Sequence, residues 1–193
     1  WQYQEVEPLI DSANMSPTYW QNLVGFVTDA VSCHGCDSVL ILQGTDTLAY
    51  SAAALSFQLL GFEVPVLMTG AMEPAAVEGS DAKENIRGSM AALSQGKVSG
   101  VQVFFHGELL SGTRCRKWRS VGRSPFVSLP ALQPKPLVTR LPEELTYPFV
   151  GSLPTVTILP LFPGLTAYQL QGLMGLFLHG LVIECYGSGT GPN

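Results

Sequence analysis

Apolar positions along this chain follow two alternating rhythms. Short unbroken runs rich in Val, Ile, Leu and Phe occur at Ser38–Leu42, Val64–Met68, Gly100–Phe105, Thr155–Leu159 and Gly180–Cys185. Runs of that kind predict strands covered on both faces. Between them the apolar residues recur at helical spacing: Trp20, Leu23, Val24 and Val27 on to about Val31, then Leu48, Ala52, Leu55 and Leu59 within Thr47–Leu60, then Ile86, Met90 and Leu93. The boundaries carry their own signals. Ser16 with Pro17 opens the first helix, Gly61 follows the second, Asp81 with Glu84 predicts a capping box for the third, and Thr166 with Gln169 one for the last. Arg119 to Gly151 holds six of the fourteen prolines and no clear period, which predicts a long connection or linker.

Repeated strand–helix units predict an α/β fold: a mostly parallel, Rossmann-like sheet with helices on both faces. One domain is the default, and no internal repeat interrupts the pattern. In such a sheet, loops at the carboxyl ends of the strands converge on one edge, where helix N-termini favour anionic groups. Gln43–Thr47, Thr69–Pro74 and Gly187–Gly191 are the loops so placed.

With 193 residues, 46% of them hydrophobic and 13% charged, the chain can bury one sizeable core. A formal charge of −5 offers no global reason to bind nucleic acid or an anionic membrane, so a small-molecule partner is expected. The longest apolar stretch, Leu173 to Tyr186, is broken by His179 and Glu184 and falls short of the roughly 20 residues of a membrane span. The opening Trp1–Glu5 has neither an initiating Met nor a signal-peptide pattern, and reads as a processed or partial product. Four cysteines are too few for a disulfide scaffold, which points to the cytoplasm. Cys33-His34-Gly35-Cys36 lacks a second ligand pair and reads as a helix C-cap turning at Gly35, not as a zinc or redox site.

The densest candidate chemistry is Leu40–Thr47, an apolar strand ending in Thr45, Asp46 and Thr47 where a helix begins. A threonine there is ordinarily an N-cap. To relay a proton its hydroxyl needs a neighbouring base, and Lys117 is the candidate, since a lysine beside a carboxylate can be tuned for that work. Arg114, Arg116, Lys117, Arg119 and Arg123 gather half of the ten basic residues into ten positions, a pattern read as a solvated loop in preference to a nucleic-acid patch. His106 follows a strand but has no Ser or Cys elbow beside it to form a triad. Gly187–Gly191 has the wrong spacing for a dinucleotide fingerprint.

Taken together, these segments resemble the L-asparaginase family, specifically its type I cytosolic enzymes. Pro8–Ser16 is similar to the family's substrate loop and Gln43–Leu48 to its second signature. Thr69-Gly70-Ala71, Ser80-Asp81 with Asn85, Ser111–Arg114 with Lys117, and Tyr186–Gly189 follow in the family's order. The resemblance implies hydrolysis of L-asparagine, and of L-glutamine as an alternative substrate, to the acid and ammonia through a threonine acyl-enzyme without metal or cofactor. It implies that Asp11, Ser12 and Ala13 bind the substrate's α-groups with Asp46 on the ammonium. Thr45, Asp46 and Lys117 would form a proton-transfer triad, the Thr45 N–H would assist the oxyanion, and the Ala71 carbonyl would lie near the departing nitrogen. It further implies a homodimer or homotetramer.

In the family the attacking threonine belongs to a Thr-Gly-Gly-Thr segment on the first strand, which has no counterpart in residues 1–193. Residues 1–193 are accordingly expected to represent most of the larger α/β domain and the start of the interdomain linker, without the first strand and the smaller carboxyl-terminal domain. Cys115 stands where the family has a small hydroxyl residue. The alternative reading is a catalytically inactive amino-acid-binding or regulatory protein of the same fold, and a third is the asparaginase-like subunit of a tRNA-dependent amidotransferase.

Overall fold

The computed structural model describes residues 1–129, 154–174 and 179–192. The chain divides into two compact units, Trp1–Thr146 and Tyr147–Asn193.

In the first unit a 3-10 turn, Ser12–Asn14, leads into α1 (Pro17–Ser32). The elements β1 (Val39–Leu42), α2 (Leu48–Gln58), β2 (Val66–Thr69), α3 (Ala82–Ser94) and β3 (Val101–Phe105) follow in alternation. Strand β4 (Glu108–Ser111) turns back beside β3. The sheet order is β1-β2-β3-β4, with β1, β2 and β3 parallel and β4 antiparallel. Sequence periodicity predicts the parallel strands and their helices within one or two residues.

Alternation along the strands sends side chains to opposite faces, and each face is covered. Val66 and Met68 of β2 and Val103 and Phe105 of β3 pack with Leu48, Ala52 and Leu55 of α2, Leu59 at its C-cap, and Val27 of α1. Leu67 and Phe104 point the other way, against Ala92 and Leu93 of α3. The expected helices on both faces are therefore present. Trp20 Nε1 donates to Ser51 Oγ at 2.8 Å, tying α1 to α2.

Three expectations are corrected. Ser16 stands at the N-cap of α1 but makes no side-chain bond there, and Pro17 alone supplies the start signal. The capping box at Asp81 and Glu84 is not formed. Asp81 carries α-like angles (φ −80°, ψ −5°), and its carboxylate turns to the preceding loop instead of the helix N–H groups. The buried face of α3 is also more polar than predicted. Asn85 and Ser89 are buried while Ile86 and Met90 are only half-buried, because both polar side chains find partners and Gly88 lets the Phe104 ring lie against the helix backbone.

Two further short strands, β5 (Cys115–Lys117) and β6 (Phe126–Ser128), form an antiparallel ribbon in a stretch read as loop and linker. Runs of three residues carry no readable period, so the ribbon is held by tertiary contact: the Phe126 ring packs 4.9 Å from that of Phe105. The remainder of the expected connection, 130–153, lies outside the described residues.

The second unit contains β7 (Val156–Pro160), α4 (Ala167–Met174) and β8 (Gly180–Glu184), with β7 and β8 parallel. Here the predicted capping pair is made. Thr166 N–H donates to Gln169 Oε1 at 2.9 Å, and Gln169 N–H donates to Thr166 Oγ1 at 3.3 Å. No helix among the described residues is long and apolar enough to cross a membrane.

Candidate active site

Four segments far apart in sequence meet at the carboxyl ends of β1 and β2. The first follows β1, where five residues, Gln43–Thr47, turn the chain into α2. Thr47 takes the N-cap position, but its hydroxyl makes no cap bond. It donates to the Ser12 carbonyl at 2.7 Å and accepts from Gln43 Nε2 at 3.0 Å. That pair pins the second segment, Asp11–Ala13, over the end of β1. Gly44 lets the two meet, since a Cβ there would stand 2.7 Å from Ser12 Oγ. Asp11 shapes its own turn, accepting from Ala13 N–H at 2.9 Å.

The third segment is Thr69–Ala71 at the end of β2. Its approach to β1 is so close that a Cβ on Gly70 would overlap the Gln43 carbonyl and stand 3.6 Å from Thr45 Cγ2. Thr69 is buried, its hydroxyl donating to the Phe104 carbonyl at 2.7 Å.

Lys117 is the fourth contributor. On β5 it lies directly opposite Phe126, and residues so paired share a face of the ribbon. With Phe126 held in the core, Lys117 is aimed at the β1–α2 loop. Its Nζ donates to Thr45 Oγ1 at 2.8 Å and to Asp46 Oδ1 at 2.6 Å, the latter an ion pair. The lysine side chain is 17% exposed and the aspartate 67%, so the cation is sheltered while the carboxylate remains open to an incoming ligand. Thr45 and Asp46 thus form one contiguous group with Lys117, which lies more than 70 positions further along the chain, and Asp11–Ala13 and Ala71 lie in the segments packed against it.

Cys115 shares the face of Lys117 and packs against the apolar core. Burial pushes its thiol from 9.0 up to about 12, so it is a neutral packing group. Lys117 takes its support from Thr45 and Asp46 instead.

The other candidates have structural duties. Arg114 Nε donates to the Leu129 carbonyl at 2.8 Å, and Arg116 stacks 5.5 Å from the Trp118 ring. Arg123 donates to the Gly79 carbonyl at 2.9 Å and lies 3.8 Å from Glu84. The basic stretch is therefore part ribbon, at Cys115–Lys117, and part exposed loop as expected, in which Arg119 and Arg123 are solvated and Arg123 offsets Glu84. His106 (φ +48°) and Gly107 make the turn between β3 and β4, with the imidazole exposed. Cys33–Cys36 ends α1 with Gly35 at φ +65° and its N–H donating to the Val31 carbonyl at 3.1 Å, as expected of a C-cap. Gly187–Gly191, in the second unit, closes on itself through Tyr186 N–H donating to the Thr190 carbonyl at 2.9 Å. Among the described residues no group of three or more His, Cys, Asp or Glu could hold a metal ion.

Sequence reasoning missed the work of Thr47, Asp81 and Phe126. Each acts through a partner distant in sequence or through a bond other than the local cap its position suggests, so no short motif could reveal it.

Comparison with known proteins gives concordant results. A family model described as Asparaginase, N-terminal, matches residues 2–139. A Mus musculus protein named 60 kDa lysophospholipase is 31% identical over 199 residues, covering 97% of this chain and 35% of that protein. Escherichia coli L-asparaginase 1 is 29% identical over 202 residues, covering 97% of this chain and 58% of that protein. Among solved structures, the thermostable L-asparaginase from Thermococcus kodakarensis aligns with a TM-score of 0.76 at 30% identity, covering 95% of this chain and 57% of that one. The chain spans about three-fifths or less of the length of these relatives.

Proposed function

The chain belongs to the asparaginase family, and from that premise we propose that it is the site-bearing part of an amidohydrolase converting L-asparagine to L-aspartate and ammonia. The observation that carries the reading is the Thr45–Lys117–Asp46 group, with Lys117 Nζ at 2.8 Å and 2.6 Å from its two partners.

A zwitterionic amino acid needs an anion for its ammonium and N–H or hydroxyl donors for its carboxylate. The exposed Asp46 supplies the first, and Ser12 with the adjoining Asp11–Ala13 backbone the second. A threonine hydroxyl, from the family's Thr-Gly-Gly-Thr segment, attacks the side-chain amide carbon, and its proton passes through Thr45 to Lys117. The Thr45 N–H stabilises the resulting oxyanion. The C–N bond then breaks as the nitrogen takes that proton back and leaves as ammonia, facing the Ala71 carbonyl. Water repeats the sequence on the acyl ester, which releases L-aspartate and restores the hydroxyl.

Lys117→Ala in the full-length protein is expected to lower ammonia release by about 100-fold or more, the range of lost general acid–base catalysis, while calorimetry still detects asparagine or aspartate. A wild type that binds either amino acid but releases no ammonia would instead favour an inactive binding or regulatory protein. The name of the Mus musculus relative makes lysophospholipid the control substrate, on which the polar Asp46 and Ser12 are expected to give no turnover.

We further propose a cytoplasmic homodimer or homotetramer. All four cysteines are free, in keeping with a reducing compartment.

A further inference from the structure

Asp81 is a buried carboxylate, 3% exposed, that the mechanism above does not use. It holds the N-cap position of α3, yet both of its oxygens turn to the loop leaving β2. Met72 N–H donates to Oδ1 at 3.0 Å and to Oδ2 at 3.1 Å, and Glu73 N–H donates to Oδ1 at 3.1 Å. Asn85, one helical turn on, donates from Nδ2 to Asp81 Oδ2 at 3.0 Å and to the Gly70 carbonyl at 3.0 Å. Its Oδ1 accepts from His106 N–H at 3.0 Å, which fixes the amide so that Nδ2 must face the loop.

Ala71 is therefore bracketed. The carbonyl before it is held by Asn85, and the N–H after it by Asp81. In a planar trans peptide the C=O and the following N–H point in opposite directions. Holding Met72 N–H on Asp81 consequently aims the Ala71 carbonyl away from α3. We infer that Asp81, braced by Asn85, is a positioning residue that directs the Ala71 carbonyl toward the departing amide nitrogen. The inference rests on the amidohydrolase reading above, from which the role of the Ala71 carbonyl is taken.

An aimed carbonyl can accept only from a leaving group that carries hydrogen. The amide of L-asparagine does, whereas the oxygen of L-aspartate β-methyl ester carries none. The test is the ratio of kcat on these two substrates for the full-length protein and for Asp81→Asn, which keeps the shape but turns an N–H group toward donors. The expected result is a drop of about tenfold in the amide-to-ester ratio, with KM on both substrates within about twofold, since the grips on the α-groups are untouched. Equal losses on the two substrates would overturn the inference and leave the amidohydrolase reading standing. A wild type inactive on both would overturn that reading, and the inference with it. Should Asp81→Asn give no cooperative melt, Asn85→Ala decides the matter. It removes the brace that holds both Asp81 Oδ2 and the Gly70 carbonyl, so the ratio is expected to fall, and in a folded variant an unchanged ratio overturns the inference.

Discussion

At Gly70 two loops approach so closely that only a hydrogen fits between its Cα and the Gln43 carbonyl. Because the obstacle is backbone, Gly70→Ala must push the β2 loop away from Thr45, and a stability loss of about 1–3 kcal/mol is expected. Urea unfolding measures it; an unchanged midpoint would show that the loops can part freely. Thr47 makes a different prediction. Its hydroxyl is the link between Gln43 and the Ser12 carbonyl, so Thr47→Val frees the Asp11–Ala13 segment. KM for asparagine is expected to rise several-fold, corresponding to about 1 kcal/mol for one lost bond, with kcat less affected. A fall in kcat at constant KM would contradict that role. Cys115 offers a pH signature. With its thiol pushed up to about 12, the folded protein keeps the proton between pH 9 and 12 while the unfolded chain releases it. Stability therefore falls as pH rises through that window. At pH 8.5 iodoacetamide is expected to label the exposed Cys33 and Cys185 and spare Cys115 until the protein unfolds; equal labelling in the native state would argue against the burial.

Among the elements, α2 was the most legible. Its apolar positions Leu48, Ala52, Leu55 and Leu59 repeat at helical spacing, and all four are buried. Leu55→Ala should cost about 2–5 kcal/mol, a loss that thermal unfolding would detect. The third helix was legible in extent but not in orientation. Periodicity counts only apolar residues, whereas its buried face includes Asn85 and Ser89, made tolerable in the interior by bonds to partners up to 21 positions away. The β5–β6 ribbon was not legible at all. Three-residue strands have no period, and what holds this one is Phe126 against Phe105, a contact spanning the sheet and the ribbon. The position of Lys117 depends on it, so shortening Phe126 to Ala is expected to lower turnover even though the residue touches no substrate.

For the molecule as a whole, 15 acidic against 10 basic residues give no global attraction for an anionic partner. The two units are built on different plans, a four-stranded sheet covered on both faces and a parallel strand pair with one helix. The proposed assembly belongs to this scale. Light scattering on the full-length protein is expected to return a dimer or tetramer mass, and a monomer at micromolar concentration would remove that proposal.

Sequence alone determined the alternation of strands and helices, because short unbroken apolar runs suit strands covered on both faces and a period of 3.6 suits helices covered on one. It also determined the family resemblance and named Thr45, Asp46 and Lys117, since each stands in a short recognisable segment. Only the tertiary structure decided that Lys117 meets Thr45 and Asp46 across 72 and 71 positions, that Thr47 serves Ser12 instead of its own helix, and that Asp81 faces the Ala71 loop. Those choices turn on which donors and acceptors the packed sheet brings within 3 Å, a three-dimensional condition that no local pattern encodes.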